Sequence, residues 1–376
     1  PVVPIPQSGT TEDETALKVR SHIDYERALE GGFQVNGEPE GLTSALCLVI
    51  AAEFHIAVEE VVQIIRTDFE GHEDTGEDSD FYPSLDELES AEYRAFLQNS
   101  NTENENFLTE HVSLGSTDDG LDESLLEKLG SLIDSVVLAE KIREVSALTG
   151  FTRIQPLGPE GVEEVKPDLE ESKKFLPATE NFGEGIFIQL NEEVVATWES
   201  NPAVNNWVER TRQTASDANT HWVREITPRF IAIHTLAHAL IRQLTFECGY
   251  SSSALRERIY CSPPGTDTEP MAGILIFTAS GDSQGSLGGL VRQGRSPRLA
   301  MTILSAIESS IWCSSDPVCS ELRTGFAGLN VGACHACSLI GETSCQESNT
   351  LLDRNLLIGN ADKGIEGLFE SLKAFF

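Results

Sequence analysis

Lysine is scarce in this sequence: 8 lysines stand beside 18 arginines and 61 aspartates and glutamates in 376 residues, for a net charge of −35. Long apolar runs are missing too. The most apolar stretch, residues 45–52, falls far short of the ~20 residues that cross a bilayer, so neither a membrane span nor a secretory leader is expected. There is no G-x-x-x-x-G-K-[ST] segment, and without a phosphate-cradling loop of that kind the chain is not expected to be an ATPase by itself. The 8 cysteines sit at scattered spacings, five of them bunched near the C-terminal end. That distribution points to a reduced, cytoplasmic protein rather than a disulfide framework. Pro1 in place of methionine suggests a processed chain or a fragment.

The acid excess is uneven. Residues 231–376 hold 14 acids and 10 bases, leaving 47 acids against 16 bases in residues 1–230. Between Asp68 and Glu127 there are 19 acids and one base, Arg94. Such a surface repels phosphate at ordinary salt, so no basic DNA-binding face is expected there. Three readings fit: a solvated face, a dock for a basic partner, or adaptation of the whole chain to high salt. The last is favoured, because arginine replaces lysine and acids occur in every segment. In molar salt the Debye length falls to ~3 Å, and the charge then argues much less against nucleic acid.

What the chain does carry is a cysteine pattern. Cys313 and Cys319 form C-x5-C, fourteen residues intervene, and Cys334 and Cys337 form C-x2-C. A C-x2-C turn offers two thiolates to one ion and a second pair closes a tetrahedron, an arrangement that suits one structural Zn²⁺ and leaves no position for substrate. Small buried cysteines account for one or two of these residues but not for four within 25. Cys345 is either a replacement ligand or a bystander.

Periodicity gives a mixed α/β, helix-rich chain: an acidic region of helices and loops over 1–136, then a zinc-binding α/β domain over 137–376. Helical spacing marks one or two helices in 42–65, one over Leu85–Leu97 and one over 125–148. Pro228 and Gly249 bracket a helix over 229–248, and another is expected over 296–310. Strands are expected at 185–190 and 273–279, while 194–198 reads as a strand or a helix start. His55 reads as a core or boundary residue, and His72 and His111 as surface residues.

Three further motifs carry chemistry. His234 and His238 share a helix face, but position 235 is Thr where a metalloprotease helix has Glu. Two hydrogen-bonded histidines on a buried or interdomain face therefore outweigh a metal pair. Gly281–Gly285 matches G-x-S-x-G after a strand. It is a Gly-rich turn or, in the alternative, a nucleophile elbow with Ser283 as nucleophile and Asp316 and His335 as triad partners. Arg292, Arg295 and Arg298 stand in a stretch without acids, the best local candidate for phosphate contact, with Arg256 and Arg258 as extensions. A plain solvent-facing loop explains them equally well.

The stretches HTLAHALIRQL (234–244), TASGDSQGSLGGL (278–290), WCSSDPVCSE (312–321), NVGACHACSLIGETSC (330–345) and LLDRNLLIG (351–359) resemble the MrfA-like zinc-binding (MZB) domain. More closely they resemble the C-terminal part of the DrmB proteins of the DISARM antiphage system. The segments 137–154 and 182–199 fit the same pattern, so the resemblance covers about 137–360, with a faint trace at Leu85–Leu97. It implies a zinc-stabilised accessory module that accompanies superfamily 2 helicases, fused to them or as a separate chain, and the chain is accordingly read as a non-catalytic partner subunit. In DISARM that helicase is DrmA, and the pair engages DNA. The resemblance also carries Cys313, Cys319, Cys334 and Cys337 over as zinc ligands, with Cys345 inside the family pattern. The acidic region before residue 137 departs from what a DNA-engaging member needs.

Overall fold

The computed structural model describes residues 15, 18–19, 22, 24–33, 39–73, 85–98, 106–148, 150–151, 165, 177–218, 220, 224–251, 253–266, 269–278 and 289–376. The chain folds as two compact units, residues 6–84 and Leu85–Phe376. In the smaller, α1 (Tyr25–Gly31), α2 (Gly41–Phe54) and α3 (Val58–Glu73) close on a core that includes Ala28, Cys47, Ile50, Val61 and Ile65. The apolar run over 42–65 is thus two helices. They part at His55, which caps α2 in the left-handed region at φ 56° and is exposed, a boundary residue.

The larger unit is built on β1 (Phe107–Val112), β2 (Ile133–Ala147), β3 (Ala178–Leu190), β4 (Leu255–Ser262) and β5 (Met271–Thr278). They pair antiparallel in the order β1-β2-β3-β5-β4. Around the sheet lie α4 (Leu85–Leu97), α5 (Glu123–Leu132), α6 (Glu192–Glu199), α7 (Pro202–Asp217) and α8 (Pro228–Cys248). After β5 come α9 (Gly289–Gln293), α10 (Arg298–Ile311), α11 (Val318–Glu321) and α12 (Arg354–Ile358). The class is mixed α/β and helix-rich, as expected.

Both faces of the sheet are covered, which is why β5 is apolar from Met271 to Phe277. Ala272, Ile274 and Ile276 face the main core with α8, α10 and α12. Met271, Leu275 and Phe277 face the aromatic layer of Tyr93, Phe96, Phe187 and Tyr260 under α4. Phe96 stacks on Phe187 with centroids 4.6 Å apart, and burying each such ring contributes about 1.5–3 kcal/mol. Gly273 lets that layer come close: a Cβ there would stand 2.9 Å from the Tyr93 ring.

One element differs from the expected pattern. The spacing over 125–148 predicts a single helix, yet the chain leaves α5 at Leu132 and continues as β2. Register shifts at Ile133/Ser135 and Ala139/Ile142 insert bulges that break the two-residue alternation. Buried apolar side chains consequently recur at 133, 136–139 and 142, which imitates a helical stripe. A division at 136/137 would fall inside β2; this unit already includes α4.

Charge inside the unit is paired. Arg256 and Arg258, read from sequence as an extension of a phosphate-binding loop, bond instead to Glu144 at 2.8 Å and Glu92 at 2.9 Å. Asp353 caps α12 and is buried, accepting hydrogen bonds from Trp207 Nε1 at 2.6 Å and from the Asn355 amide at 2.8 Å. Burial outweighs these bonds and pushes its carboxyl from 3.8 up to about 6. The folded state therefore holds this proton more tightly than the unfolded state. The resulting stabilisation is complete below the unfolded value and lost as pH rises through the folded one, on the order of 3 kcal/mol at most. Urea unfolding from pH 4 to 7 should show it as a slope difference between the wild type and Asp353→Asn. Parallel pH profiles would contradict it.

Candidate metal centre

Helix α10 is amphipathic, and its buried side packs on α8 and α12. It delivers the chain to Cys313. Asp316 then organises the turn, accepting from the amides of Cys313 at 2.8 Å and Ser320 at 3.1 Å. Cys319 lies on α11. A two-stranded hairpin, β6 (Arg323–Thr324) and β7 (Asn330–Val331), returns the chain to Cys334 and Cys337. These two share a tight turn in which the amides of Cys337 and Ser338 donate to the Cys334 carbonyl at 3.2 and 2.9 Å.

The four sulfurs converge. Cys313 and Cys334 are 3.6 Å apart, Cys319 and Cys337 3.7 Å, and Cys334 and Cys337 3.8 Å. A disulfide needs ~2.05 Å, whereas the edge of a tetrahedron with Zn–S bonds of ~2.3 Å is about 3.8 Å. The donors and their spacing fit a tetrahedral zinc with no open position. Burial and the Cys337 sulfur push the Cys319 thiol up. At Cys334 burial is outweighed by the amides of Ala336 and Cys337 and the neighbouring sulfurs, bringing it down to about 7. A bound dication removes that conflict by favouring the thiolate at every position.

Two arginines lock the frame. Arg354 donates to Asp316 at 2.9 and 3.1 Å, to Gly332 O at 2.7 Å and to Ser310 O at 3.0 Å. From α8, Arg242 donates to Ala336 O at 2.7 Å and Leu339 O at 3.0 Å, clamping the C-x2-C turn to the helix. Neither role has a sequence signature beyond an isolated cation.

A second cluster lies on the same helix. His234, His238, Glu257 and Cys345 bring their donor atoms within 4.8 Å of one another, all four buried. The two imidazoles stand perpendicular with centroids 4.5 Å apart. Glu257 was not singled out by sequence, although Leu255, Glu257 and Ile259 alternate onto one strand face and place a carboxylate between two core residues. The Cys345 segment runs beside edge strand β4: the Glu257 amide donates to Ser344 O at 3.1 Å and the Ile259 amide to Gln346 Oε1 at 3.0 Å.

The MrfA Zn-binding domain family, MZB, matches residues 236–338, from within α8 through all four cysteines of the first site. The DISARM protein DrmB of Bacillus paralicheniformis is 34% identical over 315 residues, covering 78% of this chain and 51% of that protein. The chain is DrmB-like. It spans about half the length of the curated relative it matches, and its MZB domain makes zinc its cofactor. His234 and Cys345 fall outside the matched span.

The remaining candidates of this DrmB-like chain separate. Ser283, with the rest of Gly281–Gly285, lies outside the described residues. Asp316 is committed to Arg354 and the cysteine turn, and His335 is exposed between Cys334 and Cys337. Arg292 and Arg298 are exposed. Arg295 instead has its fork on Glu110 at 2.6 Å, with Glu140 at 3.5 Å. Among the described residues no helix is long and apolar enough to cross a membrane.

Proposed function

We propose that this chain is a non-catalytic, zinc-stabilised accessory subunit of a DISARM-type antiphage system, pairing with a DrmA-like superfamily 2 helicase and helping to hold DNA. The observation that carries this reading is a closed tetrahedron of thiols within an MZB domain, in a chain one-third identical to a DISARM protein. Cys313, Cys319, Cys334 and Cys337 are its zinc ligands. The ion ties the hairpin to α8 and α10 and takes no part in chemistry, since four thiolates leave no site for a substrate. ATP hydrolysis belongs to the partner. The commitment of Asp316 to Arg354 supports the non-catalytic reading over a Ser283 hydrolase.

On this reading Arg292 and Arg298 meet phosphate, while Arg295, held by Glu110, positions the segment between them. The acid excess and the scarcity of lysine suit a cytoplasm of high salt, where repulsion between acidic surface and DNA is screened. DNA binding by the helicase complex, measured across a KCl series, tests the assignment. Replacing Arg292 and Arg298 with Ala should weaken binding to all sequences alike and lower the salt slope by about 1 for each phosphate no longer neutralised. Unchanged affinity and slope would replace this reading with a scaffold that does not touch nucleic acid.

A further inference from the structure

The buried cluster of His234, His238, Glu257 and Cys345 has the composition and geometry of a metal site in its own right. We infer that it binds a second tetrahedral zinc ion, held by His234 Nε2, His238 Nε2, a Glu257 carboxylate oxygen and Cys345 Sγ.

The spacing carries the inference first. His234 Nε2 lies 3.0 Å from Glu257 Oε1 and 3.2 Å from Cys345 Sγ, and His238 Nε2 lies 3.5 Å from Glu257 Oε1. With Zn–N and Zn–O bonds of ~2.0–2.2 Å and a Zn–S bond of ~2.3 Å, the edges of such a tetrahedron are about 3.3–3.6 Å.

The hydrogen-bond roles come second. His238 Nδ1 is 2.9 Å from the Ser338 carbonyl. A carbonyl only accepts, so Nδ1 carries a proton; with the ring neutral, the lone pair on Nε2 points into the cluster, the arrangement that orients metal-bound imidazoles. Facing it is a carboxylate oxygen, another acceptor. His238 Nε2 and Glu257 Oε2 have no hydrogen-bond partner among the described residues, and neither does the other ring nitrogen of His234, Nδ1. A proton between His234 and Glu257 satisfies one edge of the cluster, whereas the His238 edge, at 3.5 Å, is too long for a good hydrogen bond; a cation satisfies both.

Backbone preparation comes third. The amides of Asn349 and Glu347 donate to Cys345 Sγ at 3.1 and 3.3 Å, and the Gln346 amide donates to Glu257 Oε1 at 3.1 Å. Ser348 and Asn349 take positive φ, 51° and 58°, where the chain curls around the sulfur. One thiolate, one carboxylate and two neutral imidazoles carry two negative charges in a buried site, and a dication balances them. The site has no open position, so its ion is structural. The Ser338 carbonyl that orients His238 follows directly on Cys337, so the two centres share one turn of chain.

The test uses the intact protein, purified under reducing conditions and analysed for metal and by zinc X-ray absorption. The expected result is about two zinc ions per chain, with an average first shell of about 2.5 sulfurs and 1.5 nitrogen or oxygen atoms and the outer-shell scattering of imidazole. About one zinc in an all-sulfur shell would overturn the inference, as would excess zinc without imidazole scattering. Cys345→Ala should keep one zinc and shift the shell to sulfur alone; retention of two with the wild-type shell also overturns it. Should that variant fail to fold, the wild-type spectrum still decides.

Discussion

Replacing Cys334 with Ser is expected to empty the four-cysteine site and unfold the module between Cys313 and Asp353. The residues that make up this module have few means of cohesion apart from bound metal. Its strands β6 and β7 are two residues each, α11 is four, and most of its loops are half-buried or exposed. Structural zinc contributes an apparent ~10–16 kcal/mol in zinc-finger peptides, comparable to the entire stability of an ordinary domain. Removing one thiolate therefore exceeds what the Arg354 and Arg242 clamps can offset. Circular dichroism melting should lose its cooperative transition or fall by tens of degrees, and limited proteolysis should cut between residues 313 and 353. A melting curve like that of the wild type would mean the four sulfurs hold no structural ion.

The second large effect is expected at Arg229, which binds no metal. Its side chain is wholly buried, yet it bonds Glu192 at 2.8 and 3.0 Å, Glu199 at 2.5 and 2.9 Å, Ser262 O at 2.7 Å and Met271 O at 3.2 Å. One guanidinium thus joins the first turn of α8 to α6 and to the ends of β4 and β5. Arg229→Met leaves two carboxylates facing each other and takes the guanidinium donor away from two strand carbonyls. Breaking such a pair from one side destabilises by about 3–5 kcal/mol. The lower end applies here, because the Glu192 side chain is 31% exposed and partly screened. Urea unfolding should show the loss, and the double variant Arg229→Met with Glu199→Gln should recover part of it by removing one repelled charge. A loss below about 1 kcal/mol would show that Arg229 is replaceable by any side chain of similar volume.

How much of this was legible beforehand depended on whether a residue's role lies near it in sequence. Helix α8 was plain because Pro228 and Gly249 mark its ends locally, and the four cysteines were plain because ligand spacing is itself a sequence pattern. The strand β5 could be read because burial on both faces makes it apolar without a break. β2 could not, since two bulges shift its alternation into something close to a helical period. His234 and His238 read as a buried pair, and what they face was hidden: Glu257 comes from a strand and Cys345 from a loop 111 residues beyond His234. Arg229, Arg256 and Arg258 show the same limit. An arginine in sequence looks like surface charge, and only tertiary packing shows that its partner is an internal glutamate.

The strand of chain that carries Cys345 also has a protective consequence. β4 is the last strand of its sheet, and beyond it the amides of Glu257 and Ile259 are met by Ser344 and Gln346. Unpaired strand edges recruit other extended chains and seed aggregation. Residues 344–346 act as a guard rail along that edge, and whatever loosens them exposes a template for intermolecular pairing. Cover of that edge thereby rests on three residues in a loop.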